Sequence, residues 1–439
     1  MYLKITSRDN KVTRLAVDKI ELVTEKEKEL YKITATAQDL IQHVDPSKTR
    51  NEYIHYIEKP RPKVDNVYYN FKDLVDAMNA DKNGTFKIGA DLNATNVPTP
   101  KKWYVDGDFK GTLKSVEGKH YTIHNTERPL FKNIIGGTVT KVNLGNVNIN
   151  MPWADRIAPI ADTIKGGAKI EDVKVTGNVL GRNWVSGFID KIDNQGTLRN
   201  VAFIGNVTAV GDGGQYLTGI VGENWKGLVE KAYVDANLVG DKAKAAGIAY
   251  SSQNGGDNGA VSRDGAIKKS VAKGTINVAK PIENGGVVGS MKHHGSVEDS
   301  VSMMKVSNGE IFYGSSDIDY DDGYWTGNNV KRNYVVVGVS DGNSSYQRSK
   351  DKNRIKPISE EEAKSKIEAT GISADKYEIN EPIVNRLNRL TRKEDEYKTT
   401  QDYKSERDLA YRNIEKLQPF YNKEWIVNQG NKLTEGSNL

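Results

Sequence analysis

Apolar and polar residues alternate with a period of two in Tyr2–Thr6 and again over residues 15–17 and 31–35, which predicts half-buried antiparallel strands in residues 1–64. Pro60 and Pro62 interrupt the alternation and mark a linker. Over residues 70–80 the period becomes helical. Asn70 is an N-cap candidate, and Phe71, Leu74, Val75 and Met78 fall on one face. Asn83-Gly84 ends the helix, after which Phe86, Ile88, Ala90 and Leu92 restore a period of two. Residues 65–135 therefore read as a helix-plus-strand segment that leads into, and caps, the region beginning at residue 136.

From residue 136 the pattern repeats. Segments beginning at Val139, Ile170, Leu198, Val229, Ile267 and Val297 read VTKVNLGNV, IEDVKVTGNV, LRNVAFIGNV, VEKAYVDANL, IKKSVAKGTI and VEDSVSMMKV. A period of roughly 30 residues, with one longer insertion after Val229, is the mark of a solenoid. In each unit an apolar anchor precedes two polar residues. The third position after the anchor (Val142, Val173, Val201, Ala232, Ser270, Ser300) and the fifth (Leu144, Val175, Phe203, Val234, Ala272, Ser302) then share the inner face of a strand. These residues shrink toward the C-terminal end, which predicts a tapering or less dry core there. Short apolar runs flanked by glycine, at 187–189, 219–222, 247–249 and 285–289, suit sharp corners. Few of the runs have helical length or period. The fold class is mainly β, a right-handed β-helix of about six coils over residues 136–345. The polar pairs after the anchors run Thr140-Lys141, Glu171-Asp172, Arg199-Asn200, Glu230-Lys231, Lys268-Lys269 and Glu298-Asp299. Their sign mostly alternates, which is consistent with attraction between stacked coils or with a mixed-charge solvated face.

Glycine sharpens the boundary: 29 of the 41 lie in residues 136–315 and three in residues 350–439. Residues 346–439 read as a helical connector. Ser359 and Glu362 form a capping box, Ala363 and Ile367 follow on one face, and Gly371 stops the helix. Further helices are expected from Pro382, with Ile383, Leu387 and Leu390, and from about Ser405, with Ala410, Ile414 and Leu417. The formal charge is +5 over 439 residues, without a basic block, so no nucleic-acid footprint is visible. No apolar stretch is long enough for a transmembrane helix. The chain has no cysteine, which excludes disulfides, Cys-ligated zinc and a Cys nucleophile. Polar, glycine-rich and Cys-free composition suits a secreted Gram-positive surface protein, although chance also leaves long chains without cysteine.

Candidate chemistry is sparse. None of His43, His55, His120, His124, His293 and His294 lies in an HExxH motif. His120 and His124 sit in strand-like sequence, where residues four apart are about 13 Å apart, too far for one metal ion. Nucleophile-elbow and Walker motifs are missing, and the Gly211–Gly214 and Gly219–Gly222 runs do not open a helix after a strand. Asp317, Asp319, Asp321 and Asp322, followed by Gly323, faintly resemble a calcium loop, but the glycine and the distant glutamate of an EF-hand are misplaced. A glycan-cleaving β-helix would need two carboxyl groups roughly 5–9.5 Å apart. Trp153 and Trp184 occupy equivalent positions after their anchors. Stacking would bring them to one flank, as an exposed contact for a protein or glycan or as buried loop residues.

The helix around Phe71–Leu74–Val75, GxxG-type runs such as residues 219–227, and above all residues 416–433, KLQPFYNKEWIVNQGNKL, carry a resemblance. Together they resemble the non-catalytic region upstream of the catalytic domain in streptococcal immunoglobulin A1 proteases and their zinc metalloprotease relatives. The resemblance covers nearly the whole chain and is weakest over residues 1–64. It implies a secreted or cell-wall-anchored zinc endopeptidase as the parent protein, with immunoglobulin A1 heavy chain as the partner, cut at its hinge. The family's zinc site is HExxH with a distant glutamate, so no catalytic or metal residue carries over. The chain itself is expected to hold no cofactor, zinc belonging to a catalytic domain beyond it. The implied role is substrate recognition or scaffolding. A structural stalk or adhesin is the alternative, and a β-helical glycan enzyme a third.

Overall fold

The computed structural model describes residues 1–6, 12–25, 28–36, 52–59, 61, 64–95, 97–99, 101–253, 266–292, 295–307, 309–310, 312–316, 329–339, 354–372 and 387–388. The chain divides into two compact units, Met1–Pro62 with Asn380–Leu439, and Lys63–Ile379. The calcium-loop candidates Asp317, Asp319, Asp321 and Asp322, the pair His293-His294, and the helices expected beyond Pro382, apart from Leu387 and Asn388, lie outside the described residues.

In the first unit, Tyr2–Thr6, Val12–Glu25, Lys28–Thr36 and Glu52–Glu58 form a four-stranded antiparallel sheet in chain order. Its apolar centre is small: Leu15, Leu30, Ile33 and Ala35 are buried, with Leu3 and Tyr53 partly covered against Leu15 and Ala35. Asn388 ties onto the last strand. Its Oδ1 accepts from the Tyr56 backbone N–H at 2.7 Å, and its Nδ2 donates to the Tyr56 carbonyl at 3.0 Å.

The second unit is a β-solenoid of parallel strands of about seven turns. The six anchors expected from the repeat all fall in one register column. That column continues at both ends, running Phe86, Leu113, Val139, Ile170, Leu198, Val229, Ile267, Val297 and Val330. A second column, on an eight-stranded parallel sheet, runs Val105, Phe131, Ala161, Ile189, Val221, Ala249, Val288 and Tyr313. Both columns point inward and share one continuous apolar core with the third- and fifth-position residues of the upstream coils. That burial is the main favourable contribution to the fold.

The corner after each anchor from Val139 to Val330 is made without glycine. Lys141, Asp172, Asn200, Lys231, Lys269, Asp299 and Arg332, each the second member of a polar pair or its equivalent, have φ between 49° and 55°. A left-handed residue between two strands lets the anchor and the third position both face inward, at a cost of about 1–2 kcal/mol per non-glycine residue. The glycines expected to turn corners do so, in bends at residues 187–188, 219–220, 247–248 and 286–287 that lead into the eight-stranded sheet, and they are tightly packed there. A Cβ on Gly187 would lie 2.5 Å from the Phe203 ring, one on Gly219 2.6 Å from Val234, and one on Gly247 2.7 Å from Ala272. These glycines make room for the fifth-position column. Where that column shrinks to Ala272, Met304 reaches the same space, 3.4 Å from the point a Cβ on Gly247 would take. The expected taper is thus filled from another position.

The polar downstream core is internally satisfied. Ser270, Ser300 and Asn333 are fully buried in the third-position column. Each accepts from the amide of the matching residue one coil earlier: Ala232 N–H to Ser270 Oγ at 3.2 Å, Ser270 N–H to Ser300 Oγ at 3.1 Å, and Ser300 N–H to Asn333 Oδ1 at 3.0 Å.

Helix α1 (Phe71–Ala80) begins where Asn70 accepts from the Asp73 amide, and it buries Phe71, Leu74, Val75 and Met78, as the pattern predicts. These side chains join the solenoid core at its N-terminal end, the capping that stacked repeats require. Ile355–Ile358, which the pattern does not single out, adds a parallel strand beside Asn333–Val336. Pro357 in that strand lacks an N–H for further pairing. Helix α2 (Glu360–Thr370) comes next, with both halves of the Ser359–Glu362 capping box and a left-handed Gly371 at φ 73°. Its Ala363 and Ile367 cover an outward apolar stripe formed by Tyr233, Val271 and Val301.

Candidate functional site

One flank of the solenoid gathers aromatic and charged residues at the corner between its two parallel sheets. Arg156, Trp184, Tyr216 and Lys244 occupy one register column on successive coils. The short strands Arg156–Ile157, Trp184–Ser186 and Gln215–Thr218 hold them at the β-sheet spacing, close to the thickness of a planar side chain. Trp184 and Tyr216 stack with ring centroids 3.5 Å apart and planes 12° apart. The Arg156 guanidinium lies 4.3 Å from the Trp184 centroid. Register places Arg156 and Tyr216 on opposite faces of the indole, so Trp184 offers a partner only its edge. Tyr250 closes the cluster edge-on, 4.8 Å from Tyr216.

The charges in this flank are matched to one another. Arg156 Nε donates to Asp190 Oδ2 at 2.6 Å, and its Nη2 to Glu223 Oε2 at 2.9 Å. Lys102 pairs with Asp162 at 2.8 Å and also donates to the Arg156 carbonyl. Lys244 Nζ lies 3.1 Å from Glu283, and the Tyr250 hydroxyl donates to the same carboxylate at 3.0 Å. Burial pushes the Tyr250 hydroxyl up to about 12, so it stays protonated. Asp190 is 2% exposed, and burial pushes its carboxyl up to about 6 against the pull of Arg156. Asp162 is also raised by burial, with Lys102 opposing.

Trp153 does not join this column. It stands in a turn before Arg156 and is 63% exposed, while Arg156 takes the place beside Trp184. Equal offsets from the anchors do not give equal register, because the earlier coil carries one extra residue at the irregularity between Leu144 and Val147 and two more in the turn before Arg156. Arg156, Tyr216, Lys244, Tyr250 and Asp190 were not singled out from the sequence. The usable signal was the recurrence of a large planar or cationic residue once per coil, which only the true register reveals. His120 lies at the surface, with Nε2 3.0 Å from Asn143 Oδ1, whereas His124 is buried. Among the described residues no group of three His, Cys, Asp or Glu side chains is placed to hold a metal ion. No described helix is long and apolar enough to cross a membrane.

Residues 1–177 match the family described as the M26 IgA1-specific metallo-endopeptidase N-terminal region. Zinc metalloprotease ZmpB of Streptococcus pneumoniae serotype 4 is 39% identical over 439 residues, spanning all of this chain and 23% of that protein. An immunoglobulin A1 protease of Streptococcus sanguinis is 30% identical over 457 residues, spanning all of this chain and 24% of that protein. A solved structure of an IgA1 protease superposes with a TM-score of 0.57 at 26% identity, covering 98% of this chain and 33% of that one. The chain thus spans less than a quarter of the length of these two relatives.

Proposed function

We propose, for a chain that belongs to the family of streptococcal immunoglobulin A1 proteases and zinc metalloproteases, that it is the non-catalytic region that holds substrate for a zinc endopeptidase. The observation that carries this reading is the end-to-end match to proteases of which the chain is only a minor part. In this reading zinc and the reacting groups belong to a catalytic domain outside these residues. The substrate is the immunoglobulin A1 heavy chain, cut at its hinge, and the parent protein is secreted or anchored to a Gram-positive cell wall. A long stack of coils with one continuous core is a rigid platform. A surface that retains a large substrate raises the effective concentration of its scissile segment at a tethered catalytic domain.

The test is interferometry of this chain against immunoglobulin A1, its Fc and a hinge peptide. Binding to intact antibody is the expected result. A chain that is folded by circular dichroism yet binds none of the three overturns the recognition role. A structural stalk is the second reading, favoured by the self-paired charges and the occupied faces of Trp184. It predicts that deleting residues 136–345 from the parent protein leaves cleavage of soluble antibody unchanged.

A further inference from the structure

Asp190 stands in an unusual place for a carboxylate. It is 2% exposed, yet only Oδ2 has a hydrogen-bond partner, the Arg156 guanidinium; Oδ1 is buried without one. Gly222 packs directly against Asp190: a Cβ there would lie 2.5 Å from the Asp190 carbonyl oxygen and 3.2 Å from both Asp190 Oδ1 and Ser186 Oγ. The charged groups that act on Asp190 are Arg156, Asp162 on the preceding coil and Glu223 on the following one. Lys102 holds Asp162. The corner therefore sets three carboxylates against two cations, in surroundings where an excess negative charge is costly.

We infer that Asp190 is a proton-responsive positioning residue, which on protonation loosens its hold on Arg156 and resets the stacked flank of Arg156, Trp184 and Tyr216. The geometry makes the coupling direct. Arg156 bonds Asp190 through Nε and covers the Trp184 ring with the same guanidinium. A neutral Asp190 is a weaker partner than a carboxylate, while Glu223 still holds Nη2, so the guanidinium turns toward Glu223 and changes its overlap with the indole. Burial holds the Asp190 proton up to about 6, which places the change in mildly acidic surroundings.

The experiment tracks tryptophan emission of the whole chain between about pH 4.5 and 8, with circular dichroism to show that the fold persists. The expected result is an inflection between about pH 5 and 7 that disappears in Asp190→Asn and in Trp184→Phe. Glu223→Gln removes one neighbouring negative charge and is expected to move the inflection down by roughly half a pH unit or more. That variant also decides the matter if Asp190→Asn fails to fold. No inflection in the unaltered chain overturns the inference. So does an inflection that persists in Asp190→Asn, which assigns it to another group such as Asp162 or a histidine, or one that Glu223→Gln leaves in place.

Discussion

The upstream and downstream coils of the solenoid use one column of positions in opposite ways. Upstream, the third position after the anchor is Val142, Val173 and Val201, buried in the apolar core. Downstream, the same column is Ser270, Ser300 and Asn333, equally buried. The backbone register does not change between them, nor does the left-handed corner that precedes each residue. What changes is the source of stability. Upstream it is transfer of apolar surface out of water, and downstream it is a chain of hydrogen bonds from one coil to the next. A stacked corner thus fixes the direction of a side chain without fixing its chemistry, provided every polar atom placed inside finds a partner.

The strongest way to break the comparison is to remove bulk from the upstream half. Phe203 is fully buried and fills the space that Gly187 leaves open. Phe203→Ala is expected to cost about 3–5 kcal/mol, because coils above and below hold the backbone apart and the cavity cannot collapse. Denaturant midpoints of the two proteins measure it. A loss no larger than that of an exposed substitution would mean that the downstream coils, and not the apolar core, set the stability of the unit.

A smaller effect comes from Asp190, a carboxylate buried beside the apolar half. The Asp190 carboxyl stands at about 6 when folded, against an ordinary value of 3.8. The folded chain then binds more protons than the unfolded chain between those values. This group's contribution to stability is present below about pH 4 and is lost as pH rises through about 6, by at most about 3 kcal/mol. Asp190→Asn is expected to flatten that dependence, so that its stability relative to the unaltered chain improves from pH 5 to pH 7.5. Urea unfolding at the two pH values reads the difference, and an equal offset at both would contradict it.

How much of this was legible beforehand differs between the two halves for the same physical reason. The six anchors, the inward third and fifth positions and the face of helix α1 were readable because apolar periodicity reports burial directly. The Ser359 capping box and Gly371 were readable because a helix end demands particular side chains. The anchors at Phe86 and Leu113 escaped because their flanking residues depart from the repeat. The downstream hydrogen-bond chain escaped because a buried serine has the same letter as an exposed one. On the candidate flank Trp184 was legible and its neighbours were not. Arg156, Tyr216 and Lys244 share a column through register, and register depends on how long each turn is. The pairing of Trp153 with Trp184 failed on that point, with Arg156 beside Trp184 instead.

The downstream half is tested by cutting its chain of hydrogen bonds. Asn333 accepts from the Ser300 amide at 3.0 Å and donates to the Val297 carbonyl at 2.8 Å. Asn333→Ala leaves both groups buried and unpaired, with an expected cost of about 1–3 kcal/mol. The comparison sharpens if Val201→Ala, which removes bulk and no hydrogen bond, shows a larger heat-capacity change than Asn333→Ala when both are followed by calorimetry. The apolar half carries the hydration term and the polar half does not. Equal changes would mean that the two halves are stabilised alike.

The smallest expected effect lies outside the core, where the two halves become similar again. Arg199 bridges Glu171 at 3.2 Å and Glu230 at 3.0 Å on the coils either side, and Arg332 reaches Glu298 and Asp299, both on the preceding coil. The alternating sign of the polar pairs is therefore attraction between coils at these positions. The Arg199 side chain is nearly half exposed, so water and salt screen it, and Arg199→Ala is expected to cost under about 1 kcal/mol. The cost should fall further between low salt and about 0.5 M salt, which thermal unfolding at the two concentrations detects. A cost that salt does not reduce would show that Arg199 acts through packing of its stem against the neighbouring coils and not through its charge.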